Sequence, residues 1–181
     1  MNSSTICSLF LGLILISQSP FAANATLLGL GGGGGPLVSL ICAASSNKVE
    51  CNKVLSSPQI TQAKNYKQLS KAITEIAMKK AVEGQAFLKG LAQKSKSEGL
   101  NICADSCYSS VVRDFKSCLD FIDGDPDTLS YDCKVAVDEP TRCDSAMAAN
   151  HIVNPAVTAL NRQILFLCEL IFKTIDKLPN H

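Results

Sequence analysis

The residues of this chain best equipped for chemistry are its thiols. Eight residues separate Cys42 from Cys51, three separate Cys103 from Cys107, and Cys118, Cys133, Cys143 and Cys168 follow. Thiols in such number can hold a metal, run a redox cycle or close disulfides. In Cys103-Ala104-Asp105-Ser106-Cys107 two thiolates stand one helical turn apart, but zinc needs two further ligands and the histidines are His151 and His181 alone. No metal and no cofactor are expected. His151 falls where a helix should end, with no nucleophile motif beside it and no Gly-x-Ser-x-Gly in the chain, so no catalytic residue is assigned. Asp123, Asp125 and Asp127 cluster their carboxylates, yet a calcium loop needs a Gly at its sixth position and a Glu at its twelfth, and both are missing. A polar turn between helices explains them.

What the thiols do depends on the compartment. Ile6 to Ile16 is an apolar run too short to span a bilayer and about as long as a signal-peptide core. Small residues at Ala23 and Ala25 fit cleavage before Thr26, although no Lys or Arg precedes the run. Export to an oxidising compartment favours disulfides over free or metal-bound thiols. The sequon Asn24-Ala25-Thr26 would be cut in two by that cleavage, so no glycan is expected. No later segment competes as an anchor, so no membrane association is expected after signal removal.

About 155 residues remain, enough for one compact domain with a sizeable core. The formal net charge of +1 comes from interspersed basic and acidic residues, which excludes a nucleic-acid surface and leaves no concentrated basic patch for a polyanionic polysaccharide. Gly31 to Gly35, closed by Pro36, lose too much backbone entropy on ordering to hold regular structure. They lack the preceding strand and following Lys-Ser/Thr of a phosphate loop. The expected organisation is a signal peptide over 1–25, a flexible glycine-rich arm over 26–36 and a single helical domain over 37–181.

The elements that must position the cysteines are helical throughout. Leu69, Ile73, Ile76, Ala77, Phe87, Leu88 and Leu91 recur at helical spacing between about Thr61 and Ser97, a segment closed by Gly99. A second helix is predicted from Asn101 to Ile122, ending at Asp123-Gly124-Asp125-Pro126. A third spans Asp127 to Ala149, with Pro140 expected to kink it or break its ladder. The last starts near Pro155 and carries a seam of Val157, Leu160, Ile164, Leu167, Ile171, Ile175 and Leu178. Four amphipathic segments joined by short turns predict an all-α, antiparallel up-down-up-down four-helix bundle.

Facing residues of an antiparallel helix pair have a nearly constant sum of sequence numbers. Cys107 with Cys143 sums to 250 and Cys118 with Cys133 to 251, which predicts two disulfide rungs on one hairpin. Cys103 with Cys143 sums to 246, about a turn out of register. Cys103 and Cys168 are left without an assigned partner. A bridge between them stays open, and Cys168, beside the apolar seam, reads more simply as a small buried thiol.

Cys42-Ala-Ala-Ser-Ser-Asn-Lys-Val-Glu-Cys51, Ser106-Cys107-Tyr108, Gly124-Asp125 before Ser130 and Cys143, and a last helix ending Lys177-Leu178-Pro179 together resemble the plant invertase and pectin methylesterase inhibitor family. The resemblance runs from about residue 37 to the end. It implies a secreted protein of the apoplast and cell wall, whose bundle carries an N-terminal helical hairpin closed by Cys42–Cys51, with Cys107–Cys143 as the second disulfide. It implies no enzyme activity, but a protein that docks one to one on pectin methylesterase or acid invertase and obstructs the substrate cleft. Rigid cross-linking suits that role, because less entropy is lost on binding.

Invertase inhibitors often carry Pro-Lys-Phe in the turn between the second and third bundle helices. Here Pro126 is followed by Asp127 and Thr128, which reverses a charge and removes the aromatic anchor. The resemblance therefore points to pectin methylesterase before invertase. Arg142, where such inhibitors often have Thr, and the extra Cys118–Cys133 pair depart from the family pattern. Target contacts are expected among Asp120, Asp123, Asp127, Thr128 and Lys134. Of two other classes, a lipid-transfer protein lacks support because no adjacent Cys-Cys or Cys-x-Cys occurs, and a non-inhibitory wall protein of the same fold stays open.

Overall fold

The computed structural model describes residues 35–124 and 126–178, with backbone alone for 126–130 and 132. The expected leader, its cleavage site, the arm up to Gly34, Asp125 and Pro179 lie outside the described residues. Pro36 opens the first helix, α1 (Pro36–Ala44), at a first-turn position that needs no N–H donor. Asn47 caps α2 (Lys48–Val54), its side chain accepting from the Glu50 N–H at 3.1 Å, and the short α3 (Pro58–Thr61) follows. Cys42 and Cys51 bridge α1 to α2 with 5.4 Å between their Cα atoms. This hairpin lies against the bundle, where Val38, Ile41, Leu55 and Ile60 are buried.

The bundle begins with α4 (Tyr66–Ser95), capped by Asn65. Its second member is composite: α5 (Glu98–Asn101), a π-helical segment (Ile102–Cys107) and α6 (Tyr108–Phe121). Then come α7 (Pro126–Ala149) and α8 (Pro155–Ile175), the latter capped by the Asn154 side chain at the N–H groups of Ala156 and Val157. Each long helix packs on two neighbours, α4 on α6 and α8, α7 on α6 and α8. The described residues thus form the expected all-α bundle. Leu69, Ile73 and Leu88 of α4, Val111 and Phe115 of α6, Ala136 and Met147 of α7, and Ile164 and Ile171 of α8 fill its centre. Tyr108 crosses it, its hydroxyl donating to Asn161 Oδ1 at 2.7 Å while Asn161 Nδ2 donates to Asp144 Oδ1 at 2.7 Å. With its 21 residues, α8 is long and apolar enough to cross a bilayer, but Val157, Leu160, Ile164, Leu167, Ile171 and Ile175 are buried in the protein core.

Several expectations need correction. The second disulfide joins Cys103, not Cys107, to Cys143, with a Cα separation of 4.7 Å, and Cys107 is a buried free thiol. A change of register defeats the constant-sum rule. With 4.7 Å between their Cα atoms, Cys103 and Cys143 stand at nearly the same level, so the hairpin does not keep one register along its length. The shift in register falls between Cys107 and Cys118. Cys107 instead faces Glu139, and both pairs, 103 with 143 and 107 with 139, sum to 246 against 251 for the observed Cys118–Cys133 bridge. Cys168 is a buried free thiol and makes no bridge to Cys103. α7 continues through Pro140, which has no N–H to give to the helix ladder. The first bundle helix ends on Lys96 in the left-handed conformation (φ 50°) rather than on Gly99. Phe87, placed in the apolar stripe, is 41% exposed.

Candidate docking surface

The hairpin of α6 and α7 is tied near its tip by Cys118–Cys133 and farther down by Cys103–Cys143. Below the tip a polar network reinforces the second bridge. The Arg142 guanidinium donates two bonds of 2.8 Å to the buried Glu139 carboxylate and one of 3.2 Å to Ser106 Oγ. Glu139 also accepts from the Cys107 thiol, so a buried charge is paired from both helices. Burial raises the Cys107 thiol above its ordinary value, and Glu139 adds to that while Arg142 opposes it. Arg142, anomalous in the sequence comparison, is the counterion that lets Glu139 sit inside the hairpin.

At the tip the expected contact residues are brought to one end of the bundle. Asp120 and Asp123 are exposed at the close of α6, Asp127 and Thr128 stand in the first turn of α7, and Lys134 is exposed two turns on. Asp123 is not free: its Oδ1 receives Lys67 Nζ of α4 at 2.9 Å, and that cation holds its carboxyl below the ordinary range. The pair is well exposed, so it adds little stability, but it fixes the tip to the start of α4.

Two residues of this end escaped the sequence reading. Tyr131 is 68% exposed and Phe121 is 40% exposed, both large aromatic surfaces left in water. Asp127, Tyr131 and Lys134 recur at spacings of four and three, so their positions share one face of α7, whereas Cys133, Ala136, Cys143 and Met147 form the buried stripe. Tyr131 falls off that buried stripe, and a helical projection of α7 would have shown it. His151 ends α7 with a left-handed backbone (φ 54°) and an exposed side chain, as a helix-end residue does.

No family model matches the sequence, and no curated protein matches it. Solved structures do. A mutant form of a pectin methylesterase inhibitor from Arabidopsis superposes with a TM-score of 0.68 at 19% identity, covering 80% of this chain and 98% of that one. A pectin methylesterase inhibitor from Arabidopsis thaliana gives 0.60 at 19% identity, covering 80% and 97%. The likeness is one of fold.

Proposed function

We propose that this chain is a secreted, non-enzymatic inhibitor that docks on a plant cell-wall carbohydrate-active enzyme, pectin methylesterase before acid invertase, and blocks its substrate cleft. The observation that carries the reading is the doubly cross-linked α6–α7 hairpin offering Tyr131 and Phe121 to solvent. Aromatic anchors on a rigid support are what concentrates binding energy at protein interfaces. The fold shared with pectin methylesterase inhibitor structures supports it, as do three disulfides, which suit export. Asp120, Asp127, Thr128 and Lys134 would form the polar rim around those anchors.

The test is a titration of the oxidised protein from Thr26 to His181 into plant pectin methylesterase and, separately, acid invertase at mildly acidic pH. Saturating loss of esterase activity near one equivalent, with invertase untouched, is the expected result. Tyr131→Ala should weaken that inhibition at least tenfold without lowering stability, because the ring is exposed. Invertase inhibition alone would reverse the target assignment, and silence toward both enzymes would remove the inhibitor reading.

A further inference from the structure

On the side of the bundle away from α7, a groove of about 750 Å³ opens where the N-terminal hairpin meets α4 and α8, and none of its lining comes from α6 or α7. That size falls within the roughly 300–1,000 Å³ of small-ligand sites. Its lining is polarised along its length. Gly84 faces Leu160 closely enough that an added Cβ would lie 3.0 Å from both Leu160 methyl carbons, which fixes the antiparallel level of α4 and α8. Because α4 and α8 run antiparallel, the step from Ile76 to Lys80 on α4 and the step from Phe166 to Arg162 on α8 point the same way along the axis. The two cations therefore share one end, and Ile76 and Phe166 extend from it toward the other.

The far end is closed. Ser46, at the head of the hairpin, donates its backbone N–H to Glu169 Oε1 at 2.7 Å and its hydroxyl to Glu169 Oε2. Lys173 Nζ lies 3.6 Å from the same carboxylate, so Glu169 is already neutralised. Lys53, reaching from α2, adds a third cation to the lining, and Glu50 is the one acid there without an ion pair among the described residues. Lys53, Lys80 and Arg162 likewise make none. The groove thus carries a surplus of positive charge above an apolar floor.

We propose that this groove binds a small amphipathic carboxylate, its apolar body on Ile76 and Phe166 and its carboxylate between Lys80 and Arg162. A bidentate guanidinium and a point-charge ammonium at one end favour a carboxylate over a neutral polar group, and the apolar floor rejects a bare inorganic anion.

Calorimetric titration of the oxidised protein with 2-naphthoate tests this, with 2-naphthamide as its uncharged counterpart. Saturable binding at one site is expected for naphthoate, at least tenfold weaker binding for the amide, and at least a tenfold loss for the double variant Lys80→Gln with Arg162→Gln. Both side chains reach solvent, so the variant keeps the fold. Equal affinity for acid and amide, an unchanged double variant, or no saturation into the millimolar range overturns the proposal. So does self-association in sedimentation that the double variant abolishes and naphthoate leaves intact, which would make the groove a face for a second copy. Because α6 and α7 contribute nothing to the groove, the outcome stands apart from the test of enzyme inhibition.

Discussion

A thiol buried against a carboxylate is a poor nucleophile, and that makes Cys107 a bystander beside a disulfide rather than a competitor for it. Its proton is held by burial and by the acceptor Glu139, so little thiolate is present to attack the neighbouring Cys103–Cys143 bond. The prediction at this scale is a bond assignment. Cleavage before Asp105 and Asp138 separates Cys103 from Cys107 and Cys133 from Cys143, so non-reducing peptide mapping can read the pairing directly. The Cys143 peptide should carry Cys103, with Cys107 recovered as a thiol. Cys107→Ser should leave all three bridges intact, whereas Cys103→Ser with Cys107→Ser should lose about 4 kcal/mol of stability on the chain-entropy account of a loop of this length. A Cys107–Cys143 peptide would show that the constant-sum register was right after all.

At the scale of elements, amphipathic periodicity made the four long segments legible, because a buried stripe such as Val157, Leu160, Ile164, Leu167 and Ile171 is written at the helical period itself. Asp120 and Lys134 were legible as exposed residues for the complementary reason. What stayed hidden depends on contacts between elements: the change of register along the hairpin that pairs Cys103 with Cys143, and the meaning of Gly99. Gly99 does not terminate a helix. It lies inside α5, where an added Cβ would come within 2.8 Å of the Ala146 carbonyl oxygen and 3.1 Å of Asn150 Cβ, so it is required for the close approach of α5 to α7. Gly90 in α4 has nothing within 4 Å of such a Cβ. The same substitution should therefore have opposite signs at the two positions. Gly90→Ala should stabilise by about 0.5–1 kcal/mol through backbone entropy, and Gly99→Ala should destabilise by about 1–3 kcal/mol because backbone must move. Urea unfolding of both variants is the measurement, and a stabilised Gly99→Ala would mean that α5 packs more loosely than its geometry shows.

For the whole molecule, three weak acids kept protonated in the core link its stability to alkaline pH. Burial pushes the Cys168 thiol from an ordinary 9.0 up to about 12. Burial likewise raises Cys107, and it raises the Tyr108 hydroxyl with added repulsion from the Asp144 carboxylate. A raised folded-state value means that the native protein binds the proton more tightly than the unfolded chain. The contribution is thus fully present below the unfolded pKa and is lost as pH rises toward the folded one, and for Cys168 the window runs from about 9 to about 12. Within it each group can remove up to about 1.4 kcal/mol per pH unit. Urea midpoints should fall steadily as pH rises from 8.5 to 10.5. The thiol-free variant Cys107→Ser with Cys168→Ala should start lower, because it opens space in the core, yet fall less steeply, because two of the three linked protons are gone. In the protein from Thr26 to His181 it also has no free thiol to exchange with the disulfides, so its shallower curve separates proton linkage from alkaline scrambling. A parent curve that stays flat across this range would show that the thiols and Tyr108 are hydrated in the native state, and the close-packed centre assigned to the bundle would be wrong.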